Sequence, residues 1–203
     1  MRQRGNQENF YVAEIGEKRS GDLYLIAQDA AHPSWVRVDS DESGHFSEGL
    51  TGQSLPEPIR VRLAALTLAH SAKLKSCSER LNTIVMPDDS GDGWLVYFLS
   101  SSTKPGEMLL GGHTRVRVNK SASQILSTDY STNSCVTFDL AQPGDSKPKS
   151  AEAATPVVTH LVSEMPWETH VFQSLTFNTD LLVVTKHAIW RVGHGKITKL
   201  KVE

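Results

Sequence analysis

The chain has 203 residues, of which 38% are hydrophobic and 22% charged, and its formal net charge is −2. This composition is more apolar than that of a disordered chain and more polar than that of a membrane protein. The balanced charge argues against the basic surface that nucleic acids require, so we expect no nucleic-acid partner. No apolar run approaches the roughly 18–20 residues that a helix needs to cross a bilayer, so we expect no membrane span.

Short alternating runs of apolar and polar residues predict three strands near the N-terminus, at residues 10–15, 23–27 and 35–38. Turn segments rich in Gly, Ser and Asp separate these strands, and a similar loop follows at residues 39–44. The first fifty residues are therefore predicted to be a strand-rich segment, either part of the same domain as the rest or a separate lobe.

One main helix is predicted over about residues 55–75. The sequence Ser-Leu-Pro-Glu at residues 54–57 has the pattern of a capping box at a helix start. Apolar residues and one histidine then follow helical spacing: Ile59, Leu63, Leu66, His70 and Leu74. Lys73 and Lys75 would lie favourably at the negative end of the helix dipole.

Strands are predicted again after this helix, at residues 81–86 and 94–99. The run at 94–99 is apolar at every position, which is typical of a central strand buried on both faces. Residues 113–118 and 125–130 predict a hairpin. Residues 51–140 are therefore expected to combine the helix with antiparallel strands.

The last part of the chain is predicted to be a linker followed by a β-meander. Residues 141–156 have the Pro, Gly, Ser and Ala content of a linker or exposed loop. The meander over 157–203 has predicted strands at 157–162, 169–177, 181–185, 188–192 and 196–202. One helix packed on a mostly antiparallel sheet is an α+β fold.

The two cysteines, Cys77 and Cys135, follow regular elements in Ser-rich segments. A disulfide between them, in an oxidising compartment, is the favoured interpretation. Two separate thiols in the cytosol remain the alternative, and a reactive cysteine is disfavoured because the chain has no Cys-x-x-Cys. The N-terminus lacks the apolar core of a signal peptide, so the chain is either exported with a leader outside this sequence or cytosolic.

The candidate site consists of three histidines, an arginine and a glutamate on predicted strands: His113, Arg115, His160, Glu168 and His170. Residues two apart on a strand share a face, so His113 would point with Arg115, and Glu168 with His170. Convergence of these groups would suit a zinc ion or a general base. The spacing matches no metal motif, so a polar sheet face or polar binding groove is favoured, and no cofactor is expected.

Trp167 follows Met165 and Pro166 in a predicted connection between strands. An exposed tryptophan there would be a candidate contact residue. The pair Gly111-Gly112 lacks the lysine and helix of a phosphate-binding loop, so it predicts a tight turn.

Several short motifs together resemble a family of uncharacterised exported proteins of Gram-negative bacteria: Gly93-Trp-Leu-Val-Tyr97, Gly111-Gly-His-Thr-Arg115, Ser134-Cys135, Val158-Thr-His160, Glu168-Thr-His-Val-Phe172 and Ile189-Trp-Arg-Val192. The resemblance covers about residues 55–203. It implies a periplasmic location and supports the disulfide, and it implies no activity.

The leading hypothesis is a non-enzymatic envelope protein that binds a protein or another envelope component, with an inhibitor- or immunity-like role included in this class. Its strand edges and the connection at residues 165–170 would make the contacts. The alternative is a metal-binding protein or metal-assisted hydrolase that uses His113, His160, Glu168 and His170. A cytosolic ligand-binding domain is the third hypothesis.

Overall fold

The computed structural model describes the backbone of residues 9–15, 21–27, 34–40 and 46–52, and the backbone and side chains of residues 56–132, 134–140 and 155–201. Residues 1–65 and residues 66–203 form two compact units. The described part contains two helices and mostly antiparallel sheets, so the predicted α+β class is confirmed, although the expected single main helix becomes two helices.

The first unit contains a four-stranded antiparallel sheet in the order β1-β2-β3-β4. Its strands are β1 (Asn9–Ile15), β2 (Gly21–Ala27), β3 (Ser34–Ser40) and β4 (Phe46–Gly52). The three predicted strands are confirmed. The sequence pattern missed β4 because its residues, Phe-Ser-Glu-Gly-Leu-Thr-Gly, have few apolar side chains and two glycines.

Helix α1 (Glu57–Ala69) has buried side chains at Ile59, Ala65, Leu66 and Ala69. Its first turn is closed by the amide of Arg60, which donates to the carbonyl of Pro56 at 2.9 Å. The serine of the predicted capping box, Ser54, lies outside the described residues, so the box stays a prediction.

Helix α1 ends at Ala69 and not near Lys75, which corrects the predicted boundary. The amide of Ser71 donates to the carbonyl of Leu68, and the Ser71 hydroxyl bonds the same carbonyl at 2.7 Å, so the last turn tightens and closes. The backbone of Lys75 instead forms two hydrogen bonds with the Thr114 hydroxyl, at 3.1 and 3.2 Å. Neither Lys73 nor Lys75 is therefore in the last turn of the helix.

The second unit contains the remaining strands and helix α2. In chain order these are β5 (Leu81–Pro87), β6 (Gly93–Ser100), β7 (Glu107–Leu110), β8 (Thr114–Asn119), β9 (Ile125–Tyr130), β10 (Val136–Asp139), β11 (Val157–Thr159), α2 (Glu168–Thr176), β12 (Leu181–Val184), β13 (Ile189–Gly193) and β14 (Lys196–Lys199). One antiparallel sheet has the order β5-β6-β8-β9, so β6 is central, as predicted, and β8 and β9 form the predicted hairpin. Strands β7 and β10 form a separate antiparallel pair that the sequence pattern did not indicate.

The C-terminal sheet has the order β11-β12-β13-β14, and β11 runs parallel to β12. The predicted all-antiparallel meander is therefore wrong at its first pairing. Parallel neighbours need a crossover, and α2 provides it between β11 and β12. This arrangement places α2 against the sheet, where it packs on β13.

Residues 169–177 form most of α2, so the predicted strand there is wrong. The buried residues Thr169, His170, Gln173 and Ser174 repeat at helical spacing along one face. The amide of Trp167 donates to His170 Nδ1 at 3.0 Å, so this histidine occupies the place that Glu or Gln takes in a capping box. The local cap and the buried face outweigh the strand preference of the β-branched and aromatic residues.

A core cluster of buried apolar residues joins the β7–β10 pair to the C-terminal sheet and α2. Its fully buried members are Met108, Leu110, Val158, Leu181, Val183 and Val192. Val171 and Phe177 of α2 pack against this cluster from the helix side. The core therefore fixes α2 relative to the strands that carry the candidate site.

The predicted disulfide is present: Cys77 and Cys135 are bonded, with Cα atoms 5.5 Å apart. The Ser100 hydroxyl donates to the Gly112 carbonyl at 2.8 Å and accepts from the Cys77 amide at 2.9 Å. The glycine pair, Gly111 and Gly112, has positive φ values of 125° and 65°, as expected for the predicted turn. The turn thus passes directly beside the disulfide.

Replacing Gly112 with alanine is expected to lower the free energy of unfolding by about 1–3 kcal/mol more than the same change at Gly91. A Cβ on Gly112 would lie 2.5 Å from Cys77 Sγ and would also overlap the Cys77 amide nitrogen. Gly91 has a similar φ of 78° but no atom within 4 Å of the added Cβ. The Gly91→Ala variant therefore measures the cost of backbone strain alone, without steric overlap. Urea denaturation of the two variants measures the difference, and equal losses would contradict the packing argument.

Candidate functional site

Arg115, on β8, is the centre of a polar cluster at the start of α2. Its Nη1 lies 3.1 Å from Glu168 Oε1 and its Nη2 lies 3.4 Å from Asp129 Oδ2. The Tyr97 hydroxyl also donates to Glu168 Oε1. The Arg115 guanidinium carbon stacks 4.1 Å from the centre of the Trp167 ring. We call Tyr97, Arg115, Asp129, Trp167 and Glu168 the arginine cluster.

The arginine cluster places the Arg115 guanidinium between Glu168 and Asp129, beside the phenol of Tyr97. Burial raises the pKa of Tyr97, and the neighbouring Glu168 carboxylate raises it further. Burial acts to raise the pKa of Glu168, but the Tyr97 hydroxyl and the Arg115 charge outweigh it and the net pKa is lowered. Burial opposes the charge of Arg115, and Glu168 again outweighs it, so the Arg115 pKa is raised. Arg115 therefore positions Glu168 and Trp167 at the start of α2.

Trp167 is buried, with 7% of its surface exposed, so the predicted exposure is wrong. The Arg115 side chain covers its face, and the His160 ring meets it edge-on at 5.1 Å between ring centres. Its position before the first residue of α2 turns the ring inward. A role for Trp167 in binding stays a prediction. Because its ring is buried, Trp167 packs beneath the surface and supports the residues above it.

His113, His160 and His170, which we call the histidine cluster, are all buried. The rings of His160 and His170 meet edge-on, 4.8 Å apart. His160 Nδ1 donates to the Ser131 carbonyl at 2.9 Å. His113 Nδ1 accepts from the Ser100 amide at 3.1 Å, and its Nε2 lies 3.2 Å from the side-chain amide of Gln173 on α2.

Burial keeps the histidine cluster uncharged near neutral pH. Burial lowers the pKa of His113 to about 4. Burial, with a further contribution from the neighbouring His160, lowers the pKa of His170 to about 3. Burial and the nearby Arg115 charge lower the pKa of His160 as well. Each imidazole is therefore a neutral hydrogen-bonding group in the folded protein.

The structure gathers all six predicted site residues around the start of α2, but not in the predicted pairs. Because Glu168 and His170 lie on a helix, they do not share a face: Glu168 meets Arg115, and His170 meets His160. Across residues 56–132, 134–140 and 155–201, no group of three or more His, Cys, Asp or Glu side chains is placed to hold a metal ion. The metal alternative that joined His113, His160, Glu168 and His170 gains no support from this geometry.

Residues 161–165 connect β11 to α2 and expose three apolar side chains. Leu161 is 68% exposed, Val162 is 52% exposed and Met165 is 53% exposed. We call these five residues the contact loop. Within the predicted contact segment at 165–170, Met165 and Glu168 are exposed, whereas Pro166, Trp167 and His170 are buried.

The contact loop is tied to the histidine cluster through Ser163. The Ser163 Oγ lies 2.8 Å from His160 Nε2 and 2.5 Å from the Met165 carbonyl oxygen. With the His160 proton on Nδ1, both of these atoms are acceptors, and the single hydroxyl hydrogen can be given to either of them. This geometry favours Ser163 as an anchor of the loop.

Sequence reasoning missed several residues that complete the site: Tyr97, Asp129, Ser131, Ser163 and Gln173. Tyr97 and Asp129 stand two residues or fewer from predicted strand ends, and only the pairing of β6, β8 and β9 brings them beside Arg115. Ser163 carries one local indication, since it lies three residues after His160 and could reach back to it.

An open cleft of about 250 Å³ lies along the C-terminal half of α2, with Phe172, Gln173 and Phe177 in its wall. Of the residues that we assign to the site, only Gln173 lines this cleft. The arginine and histidine clusters are thus largely packed interior beneath the contact loop.

Comparison with family models, with characterised proteins and with solved structures finds no significant match. Neither helix of the described residues is long and apolar enough to cross a membrane.

Proposed function

We propose that this protein is a non-enzymatic binding protein of the bacterial envelope that docks onto another protein through its contact loop, residues 161–165. The observation that carries the proposal is the exposure of Leu161, Val162 and Met165 on one anchored loop. Apolar side chains grouped on a surface in this way are typical of protein contact sites.

The contact loop is held in place before any partner arrives. Ser163 joins the Met165 carbonyl to His160, and His160 is completely buried and bonded to the Ser131 carbonyl. Trp167, held under Arg115, fixes the C-terminal end of the loop. A loop that is already ordered loses less conformational entropy on binding, which is how inhibitor-like loops gain affinity.

Charge complementarity indicates the chemistry of the partner. Residues 155–185 contain no Lys or Arg, while Glu164 lies within the contact loop and is exposed. Glu168 follows the loop, with 47% of its side chain exposed, and its carboxylate is already paired with Arg115. We therefore propose a partner with an apolar pocket bordered by basic side chains. An inhibitor- or immunity-like protein that blocks an enzyme belongs to this class.

Two observations favour the envelope as the compartment. The Cys77–Cys135 disulfide is characteristic of oxidising compartments such as the periplasm. The motif resemblance to exported proteins of Gram-negative bacteria favours the same compartment. Two titratable thiols in protein isolated without reductant would contradict this part of the proposal.

The double variant Leu161→Glu/Met165→Glu is expected to weaken partner binding by about 30-fold or more, because the loss of a central contact patch costs about 2 kcal/mol or more in total. Partners would be captured from periplasmic extract of the bacterium that carries the gene, purified, and titrated by calorimetry. Leu126→Glu is the matched control, since Leu126 is an exposed leucine on β9, away from the loop.

The proposal requires that the loop variant fold as stably as the wild type while it loses the partner, and that Leu126→Glu keep the partner. If the wild type, the loop variant and Leu126→Glu bind the partner with equal affinity, the proposed role of the contact loop is contradicted. Metal analysis of protein purified without chelator tests the alternative function: a stoichiometric metal that is lost in His170→Ala would favour a metal protein over a binding protein.

A further inference from the structure

A small cavity lies between the end of β9, the turn after β7 and the buried face of α2. Its lining includes Gly111, Ser131, Thr169, His170 and Gln173. Nearly all of the lining residues are buried, and His113 borders the cavity on the strand side. The volume of the cavity, counted as the space that the centre of a water molecule can occupy, is about 10 Å³.

Three residues that line this cavity each carry a buried polar side-chain atom with no hydrogen-bond partner within the protein. These atoms are Ser131 Oγ, Thr169 Oγ1 and Gln173 Oε1. The three side chains belong to residues that are 1%, 4% and 4% exposed, so bulk water does not reach them freely. A buried polar group without a partner costs about 1–3 kcal/mol, and three around one cavity indicate a missing common partner.

We propose that this cavity is a binding site for one ordered water molecule that bridges Ser131, Thr169 and Gln173. About 10–15 Å³ of such space accommodates a single water, and buried waters typically make about three hydrogen bonds. The two hydroxyls can each donate or accept, and the Gln173 amide keeps one polar atom for the water while the other faces His113. The number and chemistry of the groups thus match one water.

The bridging water links the end of β9 to α2, which Arg115 also connects through its ion pairs with Asp129 and Glu168. Ser131 follows β9, and its carbonyl already accepts from His160. Thr169 and Gln173 lie one turn apart on α2. The water therefore connects the first half of α2 to the end of β9, directly below the histidine cluster.

A crystal structure at about 1.8 Å or better tests the site directly. We expect one density peak in the cavity, within 2.6–3.2 Å of the three side chains, in the range of ordinary hydrogen bonds. An empty cavity would overturn the proposal. So would a peak with several oxygen ligands near 2.4 Å, because that geometry belongs to a bound cation.

The sign of the stability change in Thr169→Val gives an independent test, because valine has the same shape but no hydroxyl. With the water present, the substitution removes one of its bonds, and the melting temperature should fall by about 2–5 °C. In a dry cavity the substitution would remove an unpaired hydroxyl, and the melting temperature would rise. Thr176→Val, at an exposed position of the same helix, is the matched control and should change it by about 1 °C or less.

Ser131→Ala provides the same comparison should the Thr169 variant fail to fold. A fall in melting temperature together with loss of the density peak supports the water, and a rise overturns it. None of these results depends on the contact loop, so the water site and the proposed function stand or fail separately.

Discussion

Lowering the pH from 7 to 4.5 is expected to lower the free energy of unfolding by several kcal/mol, to which the buried histidines His113 and His170 contribute. The unfolded chain takes up protons on His113 and His170 near pH 6.5, whereas in the folded protein burial lowers their pKa values to about 4 and about 3. Between these limits the unfolded state binds more protons than the folded state, so stability rises with pH. The stability is fully present above pH 6.5 and is lost as the pH falls towards 4.

The pH dependence is measured by urea denaturation at several pH values between 7 and 4.5. His170→Gln should reduce the slope between pH 6 and 4.5 by about 1.4 kcal/mol per pH unit, since one buried titrating group is removed. Glutamine is a usual residue at this capping position and can still accept from the Trp167 amide. A flat profile in the wild type would refute the neutral histidine cluster.

Removing the disulfide in the double variant Cys77→Ala/Cys135→Ala is expected to lower the free energy of unfolding by about 4 kcal/mol. The bond closes a loop with a sequence separation of 58 residues, and losing it restores the loop entropy of the unfolded chain. The urea midpoint of the variant measures the loss, with the slope of the transition as a check that the folded state is otherwise intact.

A reductant supplies the control for the disulfide prediction. It should lower the midpoint of the wild type to that of the double variant and leave the variant unchanged. The prediction would be contradicted by two results together: the urea midpoint of the wild type does not change in strong reductant, and the double variant is as stable as the wild type. The disulfide would then contribute little to the free energy of unfolding.

The parts of the fold that were predictable are those in which local pattern and tertiary burial agree. Strand β6 is apolar at nearly every position, and it lies in the centre of its sheet. The hairpin of β8 and β9 follows from alternation on both sides of a turn. The disulfide was predictable because two cysteines in such a chain have one possible pairing.

The parts that were missed depend on contacts between residues distant in sequence or on an unusual cap. The residues of α2 prefer strands intrinsically, and the helix depends on His170 capping the Trp167 amide and on the core beneath Val171. Trp167 is buried because Arg115, more than fifty positions earlier, covers its ring. The composition of residues 161–165 does not show that these side chains remain exposed while their neighbours are buried.

The six candidate residues around the start of α2 were identified by type and not by arrangement. His113, His160 and His170 do lie close together, yet each faces a hydrogen-bonding partner that the spacing could not supply. Only the crossover between β11 and β12 determines which way Glu168 and His170 point. No local sequence pattern indicates that β11 and β12 are parallel and joined by a helix of nine residues, so this crossover could not be predicted.

The Cys77–Cys135 disulfide divides the chain into parts that can fold one after the other as the chain emerges. Strands β5 to β9 lie wholly between Cys77 and Cys135, whereas β11, α2 and β12 to β14 lie beyond the second cysteine. In a chain delivered from its N-terminus, every residue inside the covalent ring has emerged before the first residue of β11. The ring can therefore close on a finished four-stranded sheet before the C-terminal strands and α2 are available to fold.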